Sequence, residues 1–154
     1  MIKVILLILS AIPLACQIPY FIQAWTGSRL DHWDWIYYLL GCGAMIGALY
    51  DRKFGRFDWR GVCLLLPLLL LTFSAPYHQI NALSIAAAVG AIFAAAWSLG
   101  AWAFAYALLP AIFILLMGTP SSSYHISLLL NSPVWAAWSV KLLLTLGCFA
   151  WIWG

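Results

Sequence analysis

Long apolar runs, separated by short polar or Pro- and Gly-marked gaps, make up almost all of this chain. A helix that crosses a bilayer needs roughly 20 predominantly apolar residues, and six segments approach that length. The first runs from about Ile2 to Ala24, with Pro13 and Pro19 expected to kink it. The second, about Trp33 to Tyr50, ends at a basic cluster. The third begins near Gly61 and passes Pro67 to about Ser74, where Ala75-Pro76-Tyr77-His78-Gln79 breaks it. The fourth covers about Ile80 to Trp97, and Ser98-Leu99-Gly100 predicts a tight reversal into the fifth, about Ala101 to Met117. A longer polar, Pro-bounded connection from Gly118 to Pro133 leads to the sixth, about Val134 to the last residue. The expected fold is all-α: a single transmembrane helical domain over residues 1–154, a polytopic membrane helix bundle of about six transmembrane helices.

Charge sharpens this picture. Between Gly61 and Gly154 the only charged side chain is Lys141; most of the others form two clusters, Arg29, Asp31 and Asp34, then Asp51, Arg52, Lys53, Arg56, Asp58 and Arg60. An ion at the centre of a bilayer costs about 3 kcal/mol on insertion scales, so charge gathers where helices leave lipid. The composition, 66% hydrophobic and 7% charged with ten Trp, agrees. The net charge of +3 does not point to nucleic acid, because Arg52, Lys53, Arg56 and Arg60 share one short loop. By the positive-inside rule that loop lies in the cytoplasm, and so does the N-terminus with Lys3. The expected location is the bacterial inner membrane. All three histidines, His32, His78 and His125, then fall in loops on the opposite, extracytoplasmic face, with Asp31 and Asp34.

The N-terminus imitates a lipoprotein signal, with Lys3, an apolar run and Leu14-Ala15-Cys16. Pro13 stands where an aliphatic residue belongs, and the apolar run continues through Ile22, so it reads as an uncleaved first span. Cys16, Cys42, Cys63 and Cys148 form no Cys-x-x-Cys pair and lie in or beside apolar runs, as small buried hydrophobes do. Small residues at four-residue spacing, Gly43 and Gly47 in the second span and Ala87, Ala91 and Ala95 in the fourth, let helix backbones approach closely. Trp33, Trp35, Tyr50, Trp59, Trp151 and Trp153 sit near span ends, where interfacial aromatics anchor a bundle.

Candidate chemistry is sparse. Asp31-His32 is a carboxylate beside an imidazole, a general-base pair or half of a metal site if it is not simply loop polarity, with Asp34 capping the second span. His78 and His125 join His32 in a three-histidine metal site only if three separate loops converge. Ser121-Ser122-Ser123 lies close to His125 but lacks a nucleophile turn, and reads as a flexible loop. Lys141 is the most anomalous residue. Its stem either carries the ammonium out to the interface or presents it to a partner's carboxylate or a cavity. No cofactor or metal is expected from these residues.

Leu108-Leu109-Pro110-Ala111-Ile112-Phe113-Ile114-Leu115-Leu116-Met117-Gly118-Thr119-Pro120 is similar to the Pro-x-x-Phe-Leu-x-Phe-x-x-Pro stretch of the exosortase/archaeosortase family. Asp31-His32 before an aromatic span, the basic loop at Asp51-Arg52-Lys53, the Gly-rich helix hairpin and Trp135-Ala136-Ala137-Trp138 fit the same resemblance. It covers most of this chain but only the first half or so of a family member. The family comprises multi-pass enzymes that cut and sort proteins bearing a C-terminal recognition tail, using a Cys in an Ala-Cys-Ser-Gly-like motif followed by an Arg and a His. Cys148 sits in Leu146-Gly147-Cys148-Phe149, without that motif and with no Arg after it, so no catalytic residue carries over. The resemblance implies a non-catalytic membrane subunit or scaffold in extracytoplasmic protein sorting or exopolysaccharide export. It would pair with a separate catalytic half, its partners being the bilayer and another membrane protein. Two alternatives stand beside it: a small channel or transporter component with a polar path lined by His32, His78, His125 and Lys141, and a self-contained membrane enzyme with an outer-rim His/Asp site.

Overall fold

The computed structural model describes residues 2–50, 53–74, 81–120 and 122–153, and within them the ordered elements are all helices. In chain order they are α1 (Ile2–Ala15), α2 (Ile18–Gly27), α3 (Asp34–Tyr50), α4 (Trp59–Ser74), α5 (Asn81–Met117), α6 (Ser122–Leu129) and α7 (Val134–Trp153). Ile8–Gly27, Asn81–Met117 and Val134–Trp153 are long and apolar enough to cross a bilayer, and α4 is a shorter apolar helix. That is the signature of a membrane protein. The expected break at 75–79, with His78, lies outside the described residues.

Proline chemistry explains the first interruption. Pro19 has no N–H, and its ring collides with the carbonyl four residues earlier, that of Ala15. Helix α1 stops at that residue, and the chain re-enters α2 after a turn in which the Gln17 N–H donates to the Leu14 carbonyl at 3.1 Å. Pro13, Pro67 and Pro110 are carried inside helices.

Helix α5 is broken where the sequence predicts a reversal: Gly100 (φ −150°, ψ 19°) and Ala101 (φ 60°, ψ −173°) leave helical geometry. The Ala101 conformation is one that glycine adopts freely and a Cβ resists, at a cost of order 1–3 kcal/mol. The contacts divide into two compact units, residues 1–18 with 51–109 and residues 19–50 with 110–154.

In the first unit α4 packs antiparallel on the first half of α5. Gly61 lies against Ser98 and Ala94 at one end and Gly90 against Leu68 further along. At the other end the Ser84 hydroxyl donates to the Thr72 carbonyl at 2.8 Å. Leu65, Ala91, Ala94 and Ala95 form the core between them, with Leu68 and Leu69 against it. The alanine stripe of α5 is therefore consumed in this packing. Helix α1 joins through Gln17, whose amide donates to the Ser84 hydroxyl at 3.0 Å.

In the second unit α3 runs antiparallel to the end of α5: Tyr38 meets Gly118, Gly41 meets Leu115, and Ala44 clusters with Ala111 and Ile114. Cys148, Phe149 and Ile152 of α7 cover that cluster. From α2, the fully buried Phe21 and the half-buried Trp25 pack their rings on Tyr38.

Sequence spacing alone does not tell which small residues of α3 are packed. A Cβ at Gly41 would lie within 3 Å of the Leu115 backbone, whereas one at Gly43 or Gly47 would meet nothing within 4 Å. Gly41→Ala is expected to lower stability by about 1–3 kcal/mol through overpacking, and Gly43→Ala to stay within about 0.5 kcal/mol of the parent. Thermal unfolding in detergent checks this, and equal effects would contradict the packing described.

A buried Asp–Lys pair as candidate functional site

Lys141 does not reach for the interface. It is fully buried, and its Nζ lies 2.5 Å from Oδ1 of Asp34, whose side chain is 1% exposed. Two features bring residues so distant in sequence together. Asp34 opens α3, where the helix N-terminus favours a carboxylate. Helix α7 runs the same way as α3, so its first two turns pass the Asp34 end while Cys148 and Phe149 reach the Ala44 level.

The surroundings complete the cage. The Tyr37 ring, one helical turn from Asp34, has its centroid 5.5 Å from the Lys141 ammonium, within cation–π range. Helix α6 supplies two hydroxyls: Ser122 Oγ at 3.3 Å from Asp34 Oδ2 and Ser123 Oγ at 3.5 Å from Oδ1. A serine has one proton to donate, and Ser122 also has the Thr119 and Met117 carbonyls at 2.7 and 2.8 Å. The hydroxyls are thus weak partners, and the carboxylate relies on Lys141. Asp31, 7% exposed, adds a second negative charge felt by both members of the pair.

The connection expected to be a flexible loop contains α6, and its end shows why it folds back. Asn131 takes a left-handed conformation (φ 45°), the Asn131 N–H donates to the Leu128 carbonyl at 3.2 Å and the Ser132 N–H to the Ser127 carbonyl at 3.0 Å. These paired bonds close the helix, and Pro133 prevents its continuation. Helices α6 and α7 then form a hairpin that sets the serines over Asp34. Trp138 fastens the hairpin to the preceding loop through Nε1, 3.3 Å from the Leu30 carbonyl.

The other candidates lie elsewhere. His32 is exposed, its Nδ1 3.2 Å from the Trp25 carbonyl and its ring edge-on to Trp33, while its neighbour Asp31 is buried. His125 is exposed beside the Tyr124 ring. Among the described residues no three His, Cys, Asp or Glu side chains form a metal-holding group. Cys148 packs against apolar neighbours, and among the described residues no cation is placed beside it as a thiolate nucleophile needs. Sequence reasoning missed Tyr37 and Thr145. The latter stands one turn past Lys141 on α7, with its hydroxyl buried and without a hydrogen-bond partner among the described residues. Helical spacing from Asp34 and Lys141 was the available signal for both. Comparison with protein-family models, with curated proteins and with solved structures found no match.

Chemically this is a closed ion pair. It presents no accessible nucleophile, and it joins α3 to α7 with α6 above it. Removing one partner leaves the other charged and buried, at a cost of about 3–5 kcal/mol, whereas replacing both with apolar groups costs far less. Lys141→Met and Asp34→Leu are each expected to destabilise by that amount, and the double variant to recover most of the loss. A double variant as unstable as the worse single one, in the same unfolding assay, would overturn the pairing.

Proposed function

We propose that this chain is a non-catalytic, exosortase-like membrane subunit, a scaffold in extracytoplasmic protein sorting or exopolysaccharide export that pairs with a separate catalytic half. The observation that carries this reading is the Asp34–Lys141 pair. The one ionic group placed deep in an apolar helix is neutralised inside the chain and engaged in holding helices together. The packed Cys148 and the exposed histidines support it further, since a peptidase of this kind needs a thiolate with a cation and a base beside it.

The proposed arrangement crosses a bacterial inner membrane six times, with the N-terminus in the cytoplasm. Helix α5 would be roughly 55 Å long if straight, far beyond a hydrocarbon core of about 30 Å, and its break at Gly100 and Ala101 divides it into two crossings. The antiparallel packing of α4 on the first half of α5, and of α3 on the second half, is the alternation such a path requires. The described histidines, His32 and His125, are exposed whereas Lys141 is fully buried, which favours this reading over a polar conduction path.

Affinity purification of the full chain in mild detergent should recover a second membrane protein carrying a Cys, an Arg and a His at extracytoplasmic loops. Sorting activity should belong to the pair and survive Cys148→Ala. Isolation as a lone monomer with its own peptidase activity would refute the proposal. Orientation is tested separately: a cysteine placed at Lys53 should resist an impermeant thiol reagent in intact cells and react after the membrane is opened. Labelling in intact cells would reverse the assigned sides.

A further inference from the structure

The segment Lys53-Phe54-Gly55-Arg56-Phe57-Asp58-Trp59-Arg60 interleaves cations with aromatics, and Lys53, Arg56, Phe57, Trp59 and Arg60 are all exposed. Phe57 and Trp59 are 47% and 67% exposed. Its one described carboxylate is partly exposed and hydrogen-bonded through both oxygens. Asp58 Oδ2 accepts the Trp97 indole N–H at 2.9 Å, and Oδ1 accepts the Arg60 backbone N–H at 2.9 Å. These bonds hold the carboxyl below its ordinary range, so it stays ionised and occupied.

The backbone is pinned as well. The Asp58 N–H donates to the Ser98 carbonyl at 3.0 Å, Gly55 sits against Gly100, and the Phe54 ring packs on Phe104. Trp97 is itself held edge-on by Phe93 and Trp102. The result is a fixed platform whose carboxylate is engaged by the Trp97 indole and the Arg60 backbone and whose three cations are exposed. Among the described residues none of those three side chains makes an ion pair.

We propose that this platform binds acidic phospholipid headgroups, its basic side chains contacting the phosphodiesters while Phe57 and Trp59 enter the interfacial layer. Two independent features favour that occupant. The cations complement an anionic surface, and aromatic rings at this level partition into the headgroup region, where a soluble anion gives them nothing.

The full chain, purified in detergent and offered equal phosphatidylglycerol and phosphatidylcholine, is the test, with retained lipids counted by native mass spectrometry. Phosphatidylglycerol should be retained over phosphatidylcholine by about threefold or more, and the preference should shrink as salt rises. K53Q/R56Q/R60Q should bring the ratio to near unity, while K53R/R56K/R60K, which keeps the charge, should preserve it. Where the triple Gln variant does not insert, Arg56→Gln alone should lower the ratio, with helix content unchanged by circular dichroism. An unchanged ratio in folded variants overturns the proposal, and so does its abolition by glycerol phosphate at the same concentration, which would mark a site for free anions.

Discussion

A charged group in an apolar slab must be neutralised where it stands, and in the second unit of this chain that requirement organises everything around it. Lys141 and Asp34 are tolerated because they share one contact, at 2.5 Å, with a ring face and two hydroxyls closing the remaining directions. The contact fixes the register of α7 against α3. From it follow the placement of Cys148 and Phe149 over Ala44 and the need for α6 to fold back across the top. An apolar pair of the same shape would be cheaper to bury. What the ions add is registry: an apolar face slides by a turn at little cost, whereas this pair forms in one position.

The first unit solves its packing by different means. Small residues on α5 and Gly61 on α4 let two helices approach until a chain of hydrogen bonds, Gln17 to Ser84 to Thr72, can bridge three elements. At the opposite end the partly exposed Asp58 does similar work, capping α4 while gripping Trp97. Charge is thus used in two ways: paired and enclosed among helices at Asp34 and Lys141, and hydrogen-bonded at a helix start at Asp58.

How much of this was legible in the sequence depends on whether the signal is local. Helix ends were in part, because Pro19 and Ser98-Leu99-Gly100 act on their own neighbours; the break at Gly100 and Ala101 sits where the reversal was expected. The helix inside the Gly118–Pro133 connection was missed, since its serines look like loop and its stability comes from packing on α7. Lys141 was conspicuous as the one charge in a long apolar stretch, and Asp34 as a carboxylate at a helix start. Their partnership was hidden: nothing in a single sequence relates two positions so far apart, and Lys141 had a plausible local escape along its own stem. The same blindness applied to glycines. Gly41 and Gly43 are two residues apart and look alike, yet only one faces a neighbouring backbone.

The direction of α3 and α7 carries a consequence for the whole path. Asp34 meets Lys141 near the beginnings of both helices, and Ala44 meets Cys148 and Phe149 further along, so the two run the same way. If both cross the membrane, the chain between them crosses an odd number of times. In the six-crossing path proposed above, α4 would supply one crossing and an unbroken α5 one more, which would make the total even. The backbone departure at Gly100 and Ala101 would restore the parity by dividing α5 in two. On that path the left-handed Ala101 would be the local feature that lets α3 and α7, joined by the Asp34–Lys141 pair, run the same way.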